Sequence, residues 1–143
     1  MARVTTTALS RIARVAWAAP CSLAGLAFAL ILLACGAHAR VVRGAVEVAF
    51  KPSAFECGRF TRSMRYRAMT LGHVILGVTA DDLAATRDHE HVHVAQYERW
   101  GLFFFLAYPL ASVWQLMRGR NAYWDNPFEV EARAAIHPNQ TRV

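Results

Sequence analysis

The chain has 143 residues, a formal net charge of +6 and a hydrophobic content of 55%, and this length predicts a single domain. None of its three cysteines has C-x-x-C spacing, so the sequence favours neither a disulfide framework nor a cysteine-based zinc site. The positive charge is not accompanied by a recognised nucleic-acid-binding motif, and we expect no nucleic-acid partner.

The first predicted element is an apolar N-terminal helix. Residues 15–37 carry no charged side chain and form a run long enough to cross a bilayer. Three arginines precede this run, in a layout that resembles a signal sequence: Arg3, Arg11 and Arg14. The sequence therefore predicts a membrane anchor or signal segment at residues 1–39, with membrane lipid as a partner. The domain at residues 40–143 would then lie on the extracytoplasmic side.

Three fates of this N-terminal segment stay open. Ala37-His38-Ala39 resembles a signal-peptide cleavage site, and residues 32–35 loosely resemble a lipoprotein signal box. We favour an uncleaved anchor over a cleaved signal peptide or a lipid anchor, because the apolar run is longer than most signal-peptide cores.

Two segments that follow are typical of β-structure. Residues 41–50 partly alternate between apolar and polar side chains, and residues 69–79 form an apolar run that is rich in β-branched residues and interrupted by glycine. We expect these two strands to pair with a short third strand near residues 55–60. His73 lies within the second run, and we interpret it as a core or cleft histidine and not as a metal ligand.

The next segment, His89-Glu90-His91-Val92-His93, satisfies the pattern H-E-x-x-H. Residues four apart lie on one face of an α-helix, so His89 and His93 can bind the same metal ion. Glu90 is about 100° further around the helix, where it can act as a general base on a water molecule. An N-cap at Thr79 or Asp81 and a stop at Gly101 would place the motif inside one helix.

A second apolar run covers residues 102–117. It is slightly short for a membrane span and contains Pro109 near its centre. If it crossed the bilayer, His93 and any ligand that follows the run, such as Glu129, would lie on opposite sides of the membrane. They could then not share a metal ion. We therefore expect either a helix at the membrane interface, which Trp100, Tyr108 and Trp114 would suit, or a buried core helix.

Asn126 as N-cap and Pro127 at the first helical position predict a final helix. Catalytic zinc usually has three protein ligands, so a carboxylate from this helix is the expected third ligand. Glu129 and Glu131 are two residues apart and lie on different helix faces, so only one can bind the ion. We favour Glu129, although its spacing from Asn126 also fits a capping box.

His89-Glu90-x-x-His93 followed by a glutamate on a second helix resembles the gluzincin metallopeptidases. Residues 129–132 match the E-x-x-A part of the membrane-bound gluzincin pattern, with Arg133 where an aspartate usually follows. The longer strings at 89–101 and 126–132 are similar to a family of small, uncharacterised bacterial membrane-linked proteins. The resemblance covers about the last half of the chain.

This resemblance implies an α+β, minigluzincin-like domain that contains a small sheet, an active-site helix, an apolar helix and a third-ligand helix. It also implies that the strand at about residues 71–78 borders the substrate cleft. The expected function is that of a membrane-associated Zn²⁺-dependent hydrolase, a peptidase acting on a peptide or protein. A zinc-binding membrane protein without turnover and an incidental histidine cluster are the alternatives. Candidate oxyanion donors are Tyr97, Tyr123 and His137.

Overall fold

The structure is a computed structural model that describes residues 2–51 and 67–136. The described elements form an α+β fold, as the sequence predicts, with an apolar helix at the N-terminus. In chain order they are α1 (Ala2–Ala34), β1 (His38–Val42), β2 (Ala45–Phe50), β3 (Ala68–Leu71), β4 (Val74–Thr79), α2 (Ala80–Trp100), α3 (Leu102–Met117) and α4 (Pro127–Ile136). The strand predicted near residues 55–60 lies outside the described residues.

The four described strands form one sheet in the order β1-β2-β4-β3. The central pair β2–β4 is parallel, and the two outer pairs are antiparallel hairpins. Each of the two runs predicted as a single strand is in fact interrupted by a two-residue turn. Arg43 and Gly44 turn between β1 and β2 with φ values of 50° and 87°, and Gly72 begins the second turn with φ 61°. Positive φ in such turns matches the twist of a hairpin, and glycine adopts it without strain.

Helix α2 lies across the sheet and has the predicted boundaries. The Thr79 side chain accepts a hydrogen bond from the Asp82 amide (3.1 Å), and Gly101 ends the helix at φ 56°. Leu83 and Val94 face the sheet and pack in the hydrophobic core. These contacts fix which side of α2 faces the sheet, and therefore the direction in which His89 and His93 point.

A buried carboxylate also fastens α2 to the sheet. Glu47 of β2 is almost fully buried, and its carboxylate contacts Arg87 of α2 at 2.8 Å and Arg40 of β1 at 2.7 Å. Two guanidinium groups thus compensate for the burial of one charge. Because Arg87 lies two residues before His89, this ion cluster restrains the helix close to the candidate site.

The N-terminal helix is long and apolar enough to cross a membrane, since 25 of its residues, Ser10–Ala34, meet that criterion. Its inner face packs against the rest of the fold. Ala18 and Cys21 pack against Tyr97 of α2, and Ala29 packs in a cluster with Val48 of β2. The stretch Ala37-His38-Ala39, which resembles a cleavage site, leads into β1, where His38 pairs with Ala49.

For residues 102–117 the sequence predicted either a helix at the membrane interface or a buried core helix. The second prediction is wrong, because helix α3 is mostly exposed. Within it only Phe104 and Gln115 are buried, and most of its large apolar side chains are exposed. The axes of α2 and α3 bend by 117° at Gly101, so the chain turns back. As a result α4 packs against α2. Trp100 and Trp114 are exposed, as the prediction of a helix at the membrane interface requires. Tyr108 instead points inward and donates a hydrogen bond to Glu129.

Candidate metal centre

Three potential ligands meet between α2 and α4. The Nε2 atoms of His89 and His93 are 3.1 Å apart. Glu129 Oε2 lies 3.1 Å from His89 Nε2, and Glu129 Oε1 lies 3.2 Å from His93 Nε2. One ligand atom from each residue falls within 4.8 Å of the other two, so the cluster could hold a metal ion.

The hydrogen bonds of Gln96 define the tautomer of His93. Gln96 Nε2 donates to the Phe128 carbonyl (3.0 Å) and to Glu131 Oε2 (2.8 Å), which are both acceptors. The amide oxygen of Gln96 therefore faces His93 Nδ1, at 2.8 Å, and must accept a hydrogen bond from the Nδ1–H group. A neutral His93 then presents a lone pair at Nε2, towards His89 and Glu129.

This arrangement brings electron-rich atoms together in a buried space. Two imidazole nitrogens at 3.1 Å cannot both present lone pairs to each other without a proton or a cation between them. The Glu129 carboxylate adds further electron-rich atoms, because its Oε2 faces His89 Nε2 and the side chain is only 2% exposed. A carboxylate that is shielded from water is costly unless positive charge compensates for it, and a bound cation would do so.

The contacts within the cluster shift the pKa values of Glu129 and His93 so that the charged form of each is favoured. Burial alone would raise the pKa of Glu129, but the two neighbouring imidazoles and the Tyr108 hydroxyl outweigh burial and hold that pKa well below its usual range. Burial favours the neutral form of His93, but the adjacent Glu129 carboxylate outweighs this effect and raises the pKa of His93. Glu129 is therefore ionised at neutral pH and can act as an anionic ligand.

Glu129 and Glu131 have different surroundings. Glu131 is half-buried outside the cluster, where it accepts hydrogen bonds from Gln96 and Arg99, each at 2.8 Å. The structure thus brings only Glu129 to the two histidines. Glu129 does not complete a capping box either, because the backbone N–H of Asn126 donates to the Tyr123 carbonyl and not to the Glu129 side chain. Asn126 still caps α4, accepting from the Phe128 amide at 3.0 Å.

Glu90 lies beside the cluster and does not belong to it. Its Oε2 accepts a hydrogen bond from the Thr70 hydroxyl of β3 at 2.7 Å, and the side chain is buried. Glu90, His89, His93 and Glu129 all line one cavity of about 730 Å³, a volume typical of ligand sites. The candidate general base and the candidate ligands therefore face a common space.

The wall of this cavity corrects one expectation drawn from the resemblance. The strand that borders it is the outer strand β3, Ala68–Leu71, and not the run from 71 to 78. Most of that run is β4, which lies between β2 and β3 in the sheet. The hairpin turn at Gly72 causes the difference, because it folds the first part of the run outward as an edge strand.

The candidate oxyanion donors differ in position. Tyr123 is half-buried at the cavity wall, and burial, followed by the charge of Glu129, raises its pKa. Tyr97 also borders the cavity but is buried among Ala18, Cys21 and Phe104. His137 lies outside the described residues.

The other described histidines are not part of the cluster. His91 points away from it, and burial lowers its pKa, with the nearby Arg43 charge as the second cause. His73 lies between α1 and α2, with Nε2 3.1 Å from Glu98 and Nδ1 3.4 Å from the Ser22 hydroxyl.

Sequence reasoning missed three residues that support the site. Gln96 fixes His93, Thr70 holds Glu90, and Tyr108 donates a hydrogen bond to Glu129 Oε1 at 2.6 Å. Only Gln96 had a local signal, since it lies three residues after His93 on the same helix, within reach of its side chain. The other two are brought in from separate elements. No family model, curated protein or solved structure matches the chain, so the functional proposal depends on these residues and their geometry.

Proposed function

We propose that this protein is a membrane-associated, zinc-dependent hydrolase with a minigluzincin-like site that acts on peptide bonds. The observation that carries the proposal is the convergence of His89, His93 and Glu129 at the wall of a cavity that Glu90 also lines. Three of these residues are the proposed metal ligands, and Glu90 is the proposed general base.

The ligand set favours Zn²⁺. Two imidazoles and one carboxylate are a common set of protein ligands for catalytic zinc, which keeps a further position open. Two of the three ligands are supported in place, since Gln96 orients His93, and Tyr108 donates to Glu129. When bound, Zn²⁺ would supply Lewis acidity and lower the pKa of a coordinated water.

Glu90 is the proposed general base. The Thr70 hydroxyl donates a hydrogen bond to Oε2 of Glu90. We assign the other oxygen, Oε1, to accept the proton of the attacking water. The protonated carboxyl then donates that proton to the nitrogen of the leaving amine. Thr70 is a positioning residue in this scheme, because it restrains the Glu90 carboxylate from the neighbouring strand.

The cavity wall favours a peptide as substrate. Within the described residues β3 pairs with β4 alone, so its outer edge presents backbone groups beside the cavity. An extended peptide can add to such an edge through main-chain hydrogen bonds. Apolar side chains at the wall, among them Met69 and Phe105, would contact the substrate side chains.

The test compares wild type with Glu90→Gln at equal zinc content on a broad peptide library. We expect about one zinc per chain in both proteins and a loss of turnover of about 10²- to 10⁴-fold in the variant. Equal turnover in both, including none, with zinc retained would favour the non-catalytic zinc-binding protein. Stoichiometric zinc retained by both His89→Ala and His93→Ala would contradict the metal site itself.

A further inference from the structure

The outward face of α1 is strongly apolar. While Ala18, Cys21 and Ala29 pack inward, large apolar side chains project from the opposite side of the helix. These include Ile12, Trp17, Leu23, Phe28, Leu30 and Ile31. A helix that is apolar on all sides requires an apolar environment on each of them, and the described residues supply it on only one side.

Helix α3 has a similar outward face. From Leu102 to Met117 it carries no charged residue, and its exposed side chains include Leu102, Phe103, Leu106, Leu110, Val113 and Trp114. The two faces join where Trp17 of α1 contacts Phe103 of α3, with ring centroids 6.0 Å apart. We call this joint surface the α1–α3 face. A continuous apolar patch that extends over the exposed sides of two helices marks an interaction site.

The packing of α1 restricts how that face can meet a bilayer. The inner side of α1 contacts the rest of the fold from Ala18 to Leu33, which is about 22 Å along a helix axis. The hydrocarbon core of a bilayer is only about 30 Å thick. If α1 crossed it, the sheet would be carried into the hydrocarbon.

The sheet cannot occupy that position. Within the described residues, β1 and β3 each pair on one side only, and lipid-exposed sheet edges are not tolerated in hydrocarbon. The backbone groups at the outer edges of β1 and β3 require water, whereas the α1–α3 face requires an apolar phase.

We propose that α1 does not cross the membrane but lies along one bilayer surface together with α3, so that the α1–α3 face holds the whole protein on one side of the membrane. The proposal is independent of whether the metal site is catalytic. It differs from an N-terminal anchor because the helix that is long enough to span is held flat by its contacts with the sheet.

The charges and aromatic residues around the face fit an anionic lipid surface. Arg11 and Arg14 flank it on α1, and Arg118 and Arg120 follow the end of α3; all four are exposed. Arginines at the border of an apolar face attract anionic headgroups. Trp114 is exposed within the face, and tryptophan prefers the depth of the headgroups.

The decisive experiment measures the sidedness of the two ends of α1 in sealed membranes. One reporter is the native Cys35, which is exposed at the end of α1, with the other two cysteines replaced. The other reporter is Ser10→Cys in a chain whose three native cysteines are replaced. We expect a membrane-impermeant maleimide to label both reporters from the same face as a third reporter, Asp88→Cys. Labelling of the two α1 reporters from opposite faces would overturn the proposal.

Binding to vesicles tests the occupant of the face. Leu110→Glu and Val41→Glu each place a charge at a highly exposed apolar position, 66% and 75% exposed, but Val41 lies on β1 outside the face. We expect Leu110→Glu to weaken binding to vesicles containing anionic lipid by about tenfold or more, and Val41→Glu to leave it unchanged. Equal effects of the two variants would overturn the proposal. So would a dimer that stays in solution without binding vesicles, or a mature chain that lacks residues 1–39.

Discussion

Replacement of Gln96 by leucine should weaken zinc binding although Gln96 does not touch the ion. Gln96 is fully buried, and its amide oxygen is the acceptor for His93 Nδ1 at 2.8 Å. Leucine has a similar size but no acceptor, so the imidazole loses the contact that fixes its tautomer and its orientation. Loss of such a supporting contact typically lowers metal affinity by about 10- to 100-fold, which is about 1.4–2.8 kcal/mol.

The same substitution has a second effect on stability. Gln96 Nε2 also donates to the Phe128 carbonyl at 3.0 Å, and this contact ties α2 to α4. A buried carbonyl left without its donor costs about 1–3 kcal/mol, so Gln96→Leu should also lower the melting temperature. Zinc affinity must therefore be measured well below the unfolding transition of the variant.

The assay is competition for zinc with a chromophoric chelator, and a paired substitution provides the control. Gln96→Glu combined with Glu131→Gln keeps an acceptor for His93 Nδ1 and restores a donor–acceptor pair between positions 96 and 131. This double variant loses the donor to the Phe128 carbonyl, as Gln96→Leu does, but we expect it to retain zinc affinity close to that of wild type. The reasoning is wrong if Gln96→Leu binds zinc as tightly as wild type, or if the double variant is as weak as Gln96→Leu.

Two further predictions concern carboxylates. Glu129→Gln should reduce zinc affinity by a large factor whereas Glu131→Gln should change it little, because of the two only Glu129 contacts both histidines. The same competition assay measures both variants, and the opposite order of affinities would assign the ligand to Glu131. Glu47→Gln should lower the free energy of unfolding by about 2 kcal/mol at neutral pH, because charge-assisted hydrogen bonds from Arg87 and Arg40 are lost. Burial would raise the pKa of Glu47, but these two arginines outweigh it and lower the pKa. The difference in free energy of unfolding between wild type and Glu47→Gln is therefore present at neutral pH and should shrink as the pH falls below about 4. Thermal unfolding at several pH values measures this, and an advantage that does not depend on pH would exclude the ionised form as its source.

The sequence by itself determined those features that depend on neighbours along the chain. The spacing of His89 and His93 places both on one helix face, because a helix repeats every 3.6 residues. Thr79 and Gly101 bound that helix through a capping hydroxyl and a positive φ. Pro127 begins the last helix, as expected from its fixed φ. Each of these outcomes is local.

Only the tertiary structure decided the features that depend on how separate elements pack. The rotation of α4 against α2 selects Glu129 over Glu131 for the cluster, and no pattern within α4 encodes that rotation. The approach of Thr70 to Glu90 requires a hairpin that folds over α2. The packing of α1 against the sheet is likewise a long-range contact, and a run of apolar residues predicts burial without specifying whether lipid or protein supplies it.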